Sequence, residues 1–123
     1  MRSLFTLVAL LVAAHAAARG LPLNVELVGC VLPAPACSAT RDVLTLNEHD
    51  RKLSFAVDTL HLRSTTRATS SQVLSEMKLY PLRVHGPDEL VKRLTAGAHL
   101  RVRAALRLGN RYLMLTSVES LAH

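Results

Sequence analysis

Residues 99–119 read HLRVRAALRLGNRYLMLTSVE. Leu100, Val102, Ala104, Leu106 and Leu108 alternate with His99, Arg101, Arg103, Ala105 and Arg107, the period-two signature of a strand with one buried face. Gly109-Asn110 supplies a two-residue turn, and residues 111–119 return as a second alternating strand. That turn sets an expected register in which Leu106 faces Leu113, Ala104 faces Leu115 and Val102 faces Ser117 on the inner side. On the outer side Arg107 faces Tyr112, Ala105 faces Met114, Arg103 faces Thr116 and Arg101 faces Val118. The inner face reads as core. The outer face mixes three arginines with Tyr112, Met114 and Val118.

Immediately upstream, residues 87–96 predict the one clear helix. Pro87 suits a first helical position, Asp88 and Glu89 sit where the helix dipole favours acids, and Gly97 can end it. Asp88 with Lys92, and Glu89 with Arg93, are spaced to pair across one turn. Residues 63–72 are rich in Ser and Thr and predict a loop; 73–77 is a possible short second helix. Residues 79–84 read as extended, with Pro81 pointing to an edge. Nearer the N-terminus, the apolar runs 23–32, 42–46 and 53–62 predict three strands, the last two joined by a polar hairpin loop. Gly29 implies a bulge or bend in the first run. In the third, Leu53, Phe55 and Val57 share a face, whereas Leu60 and Leu62 have the opposite parity, which requires a bulge near Asp58-Thr59 or the end of an element.

The order of these elements, ending in Gly97-Ala98-His99-Leu100-Arg101-Val102-Arg103 and Arg111-Tyr112-Leu113-Met114-Leu115, resembles the OB-fold. The resemblance covers most of the chain beyond residue 18 and implies a mainly β barrel of five strands with one helix between strands 3 and 4. The chain looks similar to small exported OB-like domains of bacterial envelopes. No family motif accompanies the likeness, so no functional residue carries over. The expected organisation is a leader over 1–18 and a single OB-like domain over 19–123, with a loop-rich insert at about 63–86.

The leader is read from residues 1–18, MRSLFTLVALLVAAHAAA: one early Arg2, an apolar run from Leu4 to Ala14, then small residues. The run falls short of the roughly 18–20 apolar residues a spanning helix needs, and Ala16-Ala17-Ala18 fits a signal-peptide cleavage site. Export, to the periplasm or outside the cell, is the expectation. Without Arg2, 14 basic and 9 acidic residues remain, a net charge of +5. A domain of about 105 residues buries something over 60% of its unfolded surface, a core that gains from a staple. Cys30 and Cys37, in a loop stiffened by Pro33 and Pro35, predict a disulfide worth roughly 2–3 kcal/mol.

Catalytic patterns are missing from the sequence: there is no G-x-S-x-G elbow, Gly-rich phosphate loop, dinucleotide fingerprint or C-x-x-C. The expectation is a protein that is not an enzyme and needs no cofactor. The outer hairpin face, Arg101, Arg103 and Arg107 with Tyr112 and Met114, is the expected partner-binding site, suited to a protein or glycan. An alternative is an envelope metal or cofactor carrier using His61 and His99, with either cysteine reduced. A further alternative is a polyanion or oligonucleotide binder. It is weakened because only Phe55, Tyr80 and Tyr112 are available beyond the leader for stacking.

Overall fold

The computed structural model describes residues 22–35, 37, 42–64 and 66–121; the expected leader lies outside them. The strands are β1 (Leu23–Val31), β2 (Val43–Glu48), β3 (Arg51–Leu62), β4 (Leu82–His85), β5 (His99–Arg107) and β6 (Tyr112–Ser120). Two helices join them, α1 (Ser70–Leu79) and α2 (Asp88–Val91). The strands close into a barrel in the order β1-β3-β2-β4-β6-β5. The architecture is the mainly β barrel expected, compatible with an OB-like fold, but with six strands instead of five. The sixth is β4, drawn from the segment read as extended. It is no edge: it pairs in parallel with β2 on one side and β6 on the other. Pro81, which has no N–H to give, stands just ahead of it.

The parity break in β3 and the glycine in β1 turn out to be one feature. Val28 pairs with Thr59 but Gly29 pairs with Val57, leaving Asp58 as the extra residue. Phe55, Ala56 and Val57 are all buried there, and Leu60 and Leu62 continue on the other parity. Gly29 is required by contact: a Cβ on it would stand 2.0 Å from the Ala56 carbonyl oxygen and 2.9 Å from the Phe55 ring.

The closing hairpin departs from its expected register halfway along. Arg107 with Tyr112, Leu106 with Leu113, Ala105 with Met114 and Ala104 with Leu115 pair as predicted. Beyond Ala104 the register shifts, so Arg103 pairs with Ser117, Val102 with Val118 and Arg101 with Glu119. Thr116 is the bulged residue, and its hydroxyl donates to the Arg103 carbonyl at 3.0 Å. Val118 is therefore core, 2% exposed, and not part of the arginine face. Burying Val118 instead of Ser117 is the physical reason for the slip. The turn is also longer than two residues: Leu108–Gly109–Asn110–Arg111 lie between the paired ends, with Arg111 at φ 53.

The segment 63–86 is not loop-rich throughout. Thr69 starts α1 with a capping box, its hydroxyl accepting from the Gln72 N–H at 3.2 Å while the Gln72 side chain accepts from the Thr69 N–H at 2.9 Å. Val73 and Met77, four apart, turn one helix face into the barrel core. By contrast α2 is one turn long where ten residues were expected. Past Lys92 the chain is recruited by β1: Gly97, at φ 89, donates to the Val31 carbonyl at 2.8 Å, and the Val31 N–H donates to Ala98 at 3.0 Å. Lys92 pairs with Glu89 at 3.3 Å, while Arg93 reaches the Val118 carbonyl at 2.7 Å.

Cys30 and Cys37 form the expected disulfide, their Cα atoms 6.5 Å apart. It ties the end of β1 to the following loop. The Cys30→Ala, Cys37→Ala double variant is expected to lose about 2–3 kcal/mol of stability in denaturant melts. The same shift is expected on reducing the native protein, and a midpoint insensitive to reductant would contradict this assignment.

Candidate functional site

The pairing ladder lays the outward side chains of the barrel into rows that cross the strands. One row runs Lys52, Asn47, Arg83, Tyr112, Arg107 over β3, β2, β4, β6 and β5. The next runs His85, Met114, Ala105, Asn24 over β4, β6, β5 and β1. Neither row contains an acidic residue. Lys52, Arg83, His85 and Arg107 are exposed, while Asn47, Tyr112 and Met114 are half-buried. The three cations of the first row are separated by one uncharged residue each. Adjacent strands lie about 4.8 Å apart, so these cations repeat at about 10 Å across the barrel. Lys52 and Arg107 form no ion pair with a described residue, and the Arg83 guanidinium donates to the Asn110 carbonyl, at 3.2 Å, with no carboxylate among its described partners.

Tyr112 and His85 stack on this surface with ring centroids 4.4 Å apart and planes inclined by 17°. The stack is diagonal, since Tyr112 is opposite Arg83 and His85 is opposite Met114. It gives the two rows a flat centre bounded by guanidinium groups.

The expected binding residues divide between two places. Arg107, Tyr112 and Met114 belong to these rows. Arg101 and Arg103 instead converge on Glu26, opposite Arg103 on β1. Arg103 Nε lies 3.0 Å from Glu26 Oε2, Arg101 Nε 3.5 Å from Oε1, and Arg63 Nη1 3.5 Å from Oε2. Arg101 also reaches Glu119 at 3.4 Å. Arg103's hydrogen bond, then the charges of Arg103, Arg101 and Arg63, hold the Glu26 carboxyl below its ordinary range against the opposing effect of burial. Two of the three arginines of that outer face are thus engaged in ion pairs, sharing Glu26.

A depressed folded-state pKa stabilises the protein above the unfolded value and ceases to do so as pH falls through the folded value. Glu26→Gln is accordingly expected to lower the denaturant midpoint at neutral pH, with the gap to wild type closing in strong acid. A gap that stays constant with pH would refute this coupling.

His61 and His99 are not brought together. β1 stands between their strands, with His61 opposite Glu26 and His99 opposite Cys30. His99 Nε2 instead lies 3.4 Å from Asp58 Oδ2, the bulged residue of β3. Both cysteines are joined in the disulfide, and among the described residues no group of three or more His, Cys, Asp or Glu is placed to hold a metal ion.

Lys52, Asn47 and His85 join this candidate face without a signal from the hairpin sequence, whereas Arg83 is close enough in sequence to the hairpin arginines to be expected near a basic surface. Their alignment depends on β4 lying between β2 and β6, and no local pattern encodes that order. The alternation of Leu82 and Val84 with Arg83 and His85 was the one available signal. Compared with known proteins, the chain matches no family model, no curated relative and no solved structure.

Proposed function

We propose that the chain is an exported, non-enzymatic binding module that docks an anionic partner, protein or glycan, on the outer face of β2, β4, β6 and β5. The observation that carries this reading is the pair of adjacent rows holding Lys52, Arg83, Arg107, His85, Tyr112 and Met114 with no carboxylate among them. Uncompensated cations around a half-buried aromatic are what contact recognition of an acidic surface uses: charge steers the encounter, and the ring and thioether supply apolar contact. Arg101 and Arg103, ion-paired with Glu26 and, for Arg101, with Glu119 as well, are peripheral to it. The leader-like sequence at 1–18 supports export to the periplasm or the medium, and a disulfide suits an oxidising compartment. No helix among the described residues is long and apolar enough to cross a membrane.

The test is site-directed photo-cross-linking in the native compartment. A photoreactive residue replacing Ala105, opposite Met114 on the face, is expected to give a discrete adduct that disappears when Arg83→Glu and Arg107→Glu are added. The same probe replacing Thr59, in a different row, is expected to give none. Equal labelling from both positions, or an adduct indifferent to the charge reversals, would remove the reading.

A further inference from the structure

Resting on that reading of the face, we infer that its ligand is an acidic polysaccharide, a chain of carboxylate- or sulfate-bearing sugars, lying across the strands along Lys52, Asn47, Arg83, Tyr112 and Arg107. The row alternates a cation with a neutral hydrogen-bonding group: amine, amide, guanidinium, phenol, guanidinium. Such an order matches a polymer whose anionic groups are separated by hydroxyls. Arg pairs a carboxylate or sulfate through two parallel hydrogen bonds, and an amide both donates to and accepts from hydroxyls. Cations about 10 Å apart address successive anions of one chain better than a single compact ion.

The common modes of peptide capture have no receptacle here. The barrel is closed, so each described strand has a neighbour on both sides, which disfavours capture by an added strand. Among the described residues the exposed large hydrophobic side chains are Leu79 and Tyr80, adjacent at the end of α1, which do not make a groove for an amphipathic helix. Single-stranded nucleic acid needs open aromatic faces. Tyr112 is half-buried and gives one face to His85, and Tyr80 lies under the Arg111 guanidinium, 5.7 Å from the ring centroid. Sugar rings, which contact aromatic surfaces through C–H groups and bring their own hydroxyls, make a smaller demand on ring area.

The experiment is calorimetric titration of the full mature domain with defined probes: an oligogalacturonate, a heparin-derived oligosaccharide, an oligoglutamate peptide, an oligothymidylate and neutral dextran. Affinity for at least one acidic sugar is expected to exceed that for the peptide and the oligonucleotide, and to fall as salt rises. Arg83→Ala and Arg107→Ala are each expected to weaken it about tenfold. Asn47→Ala is expected to weaken the sugar selectively, leaving residual peptide binding unchanged. Unaltered thermal melts confirm that these variants fold. Oligoglutamate or oligothymidylate binding as tightly as the sugars through the same arginines would overturn the polysaccharide assignment and leave the docking face standing. Dextran matching the acidic sugars would also overturn that assignment. Acidic probes that bind independently of Arg83 and Arg107, or do not bind at all, would overturn both.

Discussion

Gly29→Ala is expected to cost the barrel most of its stability. The added methyl would stand 2.0 Å from the Ala56 carbonyl oxygen, which belongs to the backbone of the paired strand and cannot rotate away. Accommodation requires β1 and β3 to separate at the Asp58 bulge, where Phe55, Val57 and Val31 are packed at 3% exposure or less. Overpacking of a close-packed core costs about 1–3 kcal/mol when side chains can shift, and more when the obstacle is backbone. The expected loss is about 4 kcal/mol, a large share of the roughly 5–15 kcal/mol that holds a domain together. Equilibrium denaturation checks it. A loss under about 1 kcal/mol would mean that the two strands do not approach so closely.

The second large effect is expected at Arg111, which ties the closing turn to the C-terminal end of α1. Its guanidinium donates to the carbonyls of Glu76 at 2.9 Å, Met77 at 3.0 Å, and Tyr80. A helix ends with carbonyls that have no intrahelical donor, and a cation there satisfies them and complements the dipole. The Arg111 N–H and carbonyl are used as well, the carbonyl accepting from Arg83 at 2.8 Å at the start of the face. Arg111→Ala is expected to cost about 3 kcal/mol, since charge-assisted hydrogen bonds contribute about 1.5–3 kcal/mol each and are not additive. Arg111→Gly is expected to be milder by about 1 kcal/mol, because φ 53 carries a penalty for any residue with a Cβ. Fast amide exchange in α1, with β1 and β5 still protected, is the accompanying signature of a released helix. If alanine and glycine behave alike, the strain at this position is not what the geometry indicates.

Several features were legible from residue order because their causes are local. Leu53, Phe55 and Val57 followed by Leu60 and Leu62 announce a bulge, since a strand cannot turn both parities inward without an extra residue. The same logic applies in β6, where Leu113 and Leu115 are followed by Val118: an uninterrupted alternation puts Val118 outside, and the extra residue Thr116 turns it into the core. Thr69-Ser70-Ser71-Gln72 spells a capping box that its Ser and Thr content disguised as loop. The helix expected over 87–96 is shorter for the opposite reason. Asp88 and Glu89 do occupy its first turn, but Pro87 stands before the first helical residue and Gly97 does not end the helix. Gly97 and Ala98 bond instead to Val31, a contact with a residue more than sixty positions away.

The candidate site divides in the same manner. Arg107, Tyr112 and Met114 were visible because they share one hairpin. Arg101 and Arg103 share it too, yet they are engaged in ion pairs with Glu26 from β1. Lys52, Asn47 and Arg83 are aligned only through strand order. Alternation, turn residues and cysteine spacing are short-range properties, so the strands, the β3 bulge and the disulfide follow from the amino-acid sequence alone. Which strands become neighbours is settled when the barrel closes and pairs both edges of β4, a cooperative choice made by residues far apart in the chain. That choice, and not any motif, lines up the cations of the proposed docking face and removes two others from it.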